Sequence, residues 1–264
     1  MAFMELHFFS DVLGRAVSAC VILPERSVSL IGMEQGGSEE SCCPTLWLLH
    51  GLSDDHTIWM RRSSIERYAA ENGIAVVMPD GERSWYSDMA NGGGDFFTYL
   101  TEELPAKCRS IYRCMRPGRE WNMIAGLSMG GYGALKAAYT CPERYGAVTG
   151  LSSALLAESY RRDPAAANAR FAPVFGQIDD FERSPQNVFY LAKRHAPAEL
   201  PPTYLWCGEQ DGLLGGTLAL GEYLASVGVP HLLTHSEGDH SWRYWDENIA
   251  RAIPWMLRRL RGEG

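Results

Sequence analysis

At 264 residues, with 46% hydrophobic side chains and a formal net charge of −8, the chain can bury a sizeable core and carries no basic footprint for nucleic acid. No apolar run reaches the length of a membrane span, and the first residues have neither the basic nor the apolar region of a secretion signal. Seven cysteines, odd in number and without C-x-x-C spacing, fit reduced thiols, so a cytoplasmic location is expected.

Two β-rich stretches, 5–9 and 15–23, open the chain, and a polar loop rich in Gly, Ser and Glu follows at 32–43. Buried-type strands are expected at 45–49, 74–78, 122–125, 147–151, 203–207 and 231–234. Helical patterns lie between and after them, at 64–71, 96–112, 131–140, 213–227 and 242–260. Continuous apolar strands alternating with helices imply an α/β fold, a mostly parallel, doubly wound sheet with helices on both faces. One domain spanning 1–264 is expected. Residues 154–200 break the rhythm with irregular, Pro- and Ala-containing sequence and read as a cap insertion over the site.

The most informative residues are Gly126-Leu127-Ser128-Met129-Gly130, a G-x-S-x-G between an apolar strand and a helix. A serine on so sharp a turn presents its hydroxyl at the sheet edge, and the flanking glycines leave room for neighbouring backbone. Its hydroxyl is a weak nucleophile until a base takes the proton and a third group orients that base. Beyond the strand at 203–207 comes Gly208-Glu209-Gln210-Asp211-Gly212, where Asp211 is the acid expected, with Glu209 in reserve and a helix N-cap as its plainer role.

The last strand runs into Ser236-Glu237-Gly238-Asp239-His240-Ser241-Trp242, which makes His240 the expected base. His235 sits at the strand end, His195 precedes the acid, and Asp239 points away from its neighbour His240. Two backbone N–H groups are expected to hold developing negative charge, those of Met129 and of Leu52 in the loop His50-Gly51-Leu52. His50 itself reads as a structural hydrogen-bonder. Nothing matches a metal-ligand spacing such as H-E-x-x-H, and Gly92-Gly93-Gly94 has no lysine for a phosphate loop, so neither a metal site nor a phosphate-binding loop is expected. Trp85 and Tyr86, beyond the strand at 74–78, are expected to wall the substrate pocket, unless they simply pack under the cap.

These residues together resemble the α/β-hydrolases of the esterase D group, which includes S-formylglutathione hydrolases, bacterial tributyrin (acetyl) esterases and mycolyltransferases. The resemblance runs from Leu46 to the last helix, through Leu48-Leu49-His50-Gly51-Leu52, 126–133, 208–211 and 238–242. The tributyrin esterase branch is most similar, through 79–88 and Glu102-Glu103-Leu104-Pro105. The resemblance implies Ser128, Asp211 and His240 as the triad, Leu52 and Met129 as oxyanion donors, no cofactor, and esters of short-chain acids as substrates. S-formylglutathione hydrolases usually carry histidine where this chain has Leu127, and mycolyltransferases are exported. A thioesterase or acyltransferase on the same triad is the alternative. The partner expected is a small-molecule ester, with no nucleic acid and no membrane, and a homo-oligomer stays open.

Overall fold

The computed structural model describes residues 1–25, 31, 35–36 and 42–263. Apart from residues 35–36 and 42–43, the polar loop expected at 32–43 lies outside them. Among the described residues, eight strands form one sheet in the order β1-β2-β4-β3-β5-β6-β7-β8. They are β1 Ala2–Ser10, β2 Arg15–Leu23, β3 Thr45–Leu49, β4 Ala75–Pro79, β5 Asn122–Leu127, β6 Ala147–Leu151, β7 Thr203–Gly208 and β8 His231–Ser236. β1 and β2 form an antiparallel hairpin with Ala2 opposite Leu23, and β2 runs antiparallel to β4. Every pairing from β4 to β8 is parallel.

Among the described residues, ten α-helices connect or cover the strands. They are α1 Ile58–Arg62, α2 Ile65–Asn72, α3 Phe96–Thr98, α4 Leu104–Ile111, α5 Met129–Thr140, α6 Ala157–Arg162, α7 Pro164–Phe175, α8 Val188–Lys193, α9 Leu214–Val227 and α10 Trp242–Leu260. Successive residues of a strand face opposite ways, so the uniformly apolar strands feed two cores. Leu46, Leu48, Val76 and Trp206 pack with α1, α2 and α10. Trp47, Leu49, Val77 and Leu205 pack on the other face with α4, α5 and α9. β1 instead alternates exposed and half-buried residues, as an edge strand must.

The helix expected at 96–112 is interrupted by a wide π turn, Tyr99–Glu103. Pro105, near the start of α4, has no N–H for the carbonyl of Thr101, and the Arg144 guanidinium donates to that carbonyl instead. The segment 154–200 is not irregular throughout, since it contains α6, α7 and α8. Among the described residues, no helix is long and apolar enough to cross a membrane.

Candidate active site

β5 passes into α5 through Ser128, whose φ of 52° and ψ of −115° are strained for a residue with a Cβ. Three backbone hydrogen bonds hold it there. The Ser128 N–H donates to Leu151 O at 2.9 Å, and its carbonyl accepts from Tyr132 N at 3.0 Å and Ala154 N at 3.1 Å. The flanking glycines are required by close approach rather than by φ. A Cβ on Gly126 would lie 2.3 Å from the Gly130 carbonyl, and one on Gly130 would lie 2.5 Å from Leu49 O. The second contact seats α5 against the end of β3 and brings the 50–52 loop to the serine. A Cβ on Gly51 would lie 3.9 Å from that of Ser128.

His240 Nε2 stands 3.0 Å from Ser128 Oγ, and its Nδ1 stands 2.8 Å from Asp211 Oδ2. A carboxylate only accepts, so Nδ1–H donates to Asp211 and bare Nε2 accepts from the Ser128 hydroxyl. The two loops that carry base and acid are tied together. Gln210 N–H donates to Gly238 O at 2.9 Å, and Gly238 N–H donates to Gln210 Oε1 at 2.8 Å. Burial pushes the Asp211 carboxyl up, but hydrogen bonds from His240, the Leu213 N–H and Ser152 outweigh it and leave its pKa below the ordinary value. The acid is therefore ionised at neutral pH, and its side chain is 1% exposed against 40% for that of His240.

Leu52 and Met129 each have a backbone N–H without an acceptor among the described residues. Met129 owes this to its place in the first turn of α5, where N–H groups have no carbonyl four residues back. Met129 follows Ser128 directly, and Leu52 follows Gly51, whose added Cβ would lie 3.9 Å from that of Ser128. Glu209, the reserve acid, instead pairs with His235 at 3.0 Å, and His195 lies 3.9 Å from Glu199 within 154–200. Buried His50 is structural, as its sequence position suggests. Its Nδ1–H donates to Gly51 O at 2.7 Å, and its Nε2 accepts from the Gly81 N–H at 2.8 Å.

Trp85 and Tyr86 part company. Both have positive φ, 54° and 48°. Trp85 lines a cavity of about 700 Å³ together with Ala154, Leu156, Phe171, Phe189 and Leu213. A second cavity of about 280 Å³, lined by Leu52, Met89 and Pro173, shares Trp85 and Phe171 with the first. Their rings meet edge to face at 5.2 Å, so the pair stands as a partition between the two cavities. Tyr86 lines neither cavity. It is 1% exposed, and its hydroxyl accepts from His50 N–H at 2.9 Å and donates to His50 O at 3.1 Å. Through these bonds it braces the start of the 50–52 loop.

Three further residues carry no sequence signal of their own. Trp245 packs edge-on to the His240 ring at 4.8 Å and donates its indole N–H to Ser152 Oγ at 3.1 Å. Ser152 thereby links the indole to Asp211. Phe171 lies in the irregular stretch, where no periodicity assigns it a face.

The Esterase family model matches residues 10–256. The acetyl esterase of Caldicellulosiruptor saccharolyticus is 29% identical over 98% of this chain and 99% of its own. Among solved structures, the fluorophosphonate-binding serine hydrolase F of Staphylococcus aureus superposes with a TM-score of 0.84 at 33% identity, covering 97% of this chain and 98% of that one. The S-formylglutathione hydrolase of the same organism has a TM-score of 0.80 at 31% identity, with the same coverage.

Proposed function

The chain belongs to the esterase family and is a serine carboxylesterase, and from that premise we propose that Ser128, His240 and Asp211 carry the reaction on esters of short-chain acids. The observation behind this reading is the unbroken relay from Asp211 through His240 to a serine on a strained elbow, with contacts of 2.8 and 3.0 Å.

In the first half-reaction Ser128 Oγ attacks the ester carbonyl carbon while its proton passes to His240 Nε2. The Leu52 and Met129 N–H groups hold the oxyanion. Collapse breaks the bond to the alcohol, which leaves with the proton from His240. In the second half-reaction His240 takes a proton from water, hydroxide adds to the acyl-serine, and the carboxylic acid departs as Ser128 regains its proton. Asp211 stays ionised throughout, holding the imidazole in the required tautomer. No cofactor enters these steps.

We read 154–200 as a cap within a single domain, a reading supported by the residues that α6, α7 and α8 contribute to the larger cavity. We also assign the enzyme to the cytoplasm, supported by seven cysteines of which no two are joined in a disulfide. A panel of chromogenic esters of rising acyl length tests the substrate reading. Rates are expected to peak from acetyl to butyryl and to fall steeply by octanoyl, whereas a preference for long chains would contradict it. The likeness to an S-formylglutathione hydrolase at 31% identity favours one second reading, a thioesterase or acyltransferase using the same residues. Product analysis with an S-acyl glutathione, and with an alcohol as competing acceptor, separates the two.

A further inference from the structure

The larger cavity is apolar in its depth, where Trp85, Leu155, Leu156 and Phe171 are each under a tenth exposed. Its rim is different. Arg161 and Arg162 reach it from α6, and Arg170 reaches it from α7. Arg161 is matched by Glu182 at 2.7 Å. Arg162 and Arg170 have no carboxylate partner among the described residues, and Glu158 is the single acid on the rim. Arg170 is nonetheless held in place, with its guanidinium 5.2 Å from the centre of the Phe171 ring. It also lines the smaller cavity, beside Arg83, which is likewise without an ion pair among the described residues.

Such a rim runs against the composition of the chain, which has 32 acidic residues to 24 basic ones. A guanidinium offers a planar fork of donors that matches a carboxylate or a phosphate, and a partly enclosed cleft focuses its field on an incoming anion. Volume adds a second argument. An acetyl or butyryl group fills little of a cavity of about 700 Å³, so the larger, alcohol part of the substrate has room there.

We propose that the natural ester carries an anionic group, carboxylate or phosphate, on its alcohol part, and that Arg162 and Arg170 determine this specificity. The proposal rests on the reading of Ser128 as nucleophile, because Ala154, which lines the cavity, is hydrogen-bonded to Ser128.

Three acetyl esters test it: 4-acetoxybenzoate, 4-acetoxyphenyl phosphate and the uncharged methyl 4-acetoxybenzoate. Each kcat/KM is divided by the rate of the same ester with hydroxide, which removes differences between leaving groups. At least one anionic ester should exceed the methyl ester by roughly tenfold, and the preferred one identifies the group recognised. Added salt should shrink that ratio. An Arg162→Gln, Arg170→Gln double variant should bring the ratio near one, chiefly by raising KM for the anionic esters. Equal normalised values for all three esters, or a preference that survives the double substitution and high salt, would overturn the proposal while leaving the esterase reading intact. Failure to hydrolyse even the methyl ester would remove the esterase reading, and this proposal with it.

Discussion

At the scale of single residues, we propose that the chemistry rests on Ser128, so Ser128→Ala should fold normally and lose on the order of 10⁴–10⁶ in turnover. His240→Ala should match it, because base and nucleophile act as one unit. Asp211→Asn should leave a higher residual rate, since the carboxylate orients the ring and does not react. A crippling Glu209→Gln beside a nearly silent Asp211→Asn would contradict the assignment.

A second titratable residue lies outside the chemistry. Lys136 is buried on α5, donating to Ser87 Oγ at 2.6 Å and Gln186 Oε1 at 2.7 Å. Burial pulls its ammonium down to about 7. The unfolded chain keeps that proton up to roughly pH 10.4, so the unfolded state binds more protons between these values and stability gains with rising pH. Urea unfolding from about pH 6 to about pH 9 should show the wild type gaining on Lys136→Met as pH increases. Parallel stability curves would show that Lys136 keeps its proton in the folded chain.

At the scale of elements, the elbow and the partition are the parts that tolerate least. Gly126→Ala would put its Cβ 2.3 Å from the backbone of Gly130, where no rotamer offers relief. A loss of about 2–3 kcal/mol is expected, read as a lower midpoint in chemical unfolding. Wild-type stability in this variant would mean that the elbow has more slack than its geometry implies.

Trp85→Ala would join the two cavities of about 700 and 280 Å³ that the indole now separates. The ratio of octanoyl to butyryl kcat/KM should rise, at a cost of about 3–5 kcal/mol in stability. An unchanged chain-length profile would place the acyl limit on other residues. The paired readings of Trp85 and Tyr86 show where sequence reasoning stops at this scale. Aromatic identity marks both residues, but two successive positive-φ residues decide which ring meets the cavity, and non-glycine side chains do not announce that backbone state. The π turn at 99–103 was likewise missed by the unbroken helix expected at 96–112, although Pro105 lacks the N–H that a regular helix would use there.

At the scale of the whole molecule, alternating apolar strands and helices fix the α/β class, and the chain order of Ser128, Asp211 and His240 anticipates their convergence. The convergence itself follows from parallel strands that end on one side. β5 delivers Ser128, while neighbouring β7 and β8 deliver the acid and base loops. Less legible were contacts made across the sheet's end by residues remote in sequence, such as Trp245 with Ser152, because local periodicity carries no information about them. The composition of 154–200 hid three helices for a similar reason, since short elements packed on a partner surface need no strong pattern of their own.

The central claim is that one serine, activated by His240 and Asp211, does the chemistry. Its most direct test is peptide mass spectrometry after treatment with an organophosphonate ester. The account predicts a single stable adduct on Ser128, absent from Ser128→Ala and slow to form in His240→Ala. An adduct on another residue, or an unlabelled Ser128 in an enzyme that the reagent has inactivated, would contradict it.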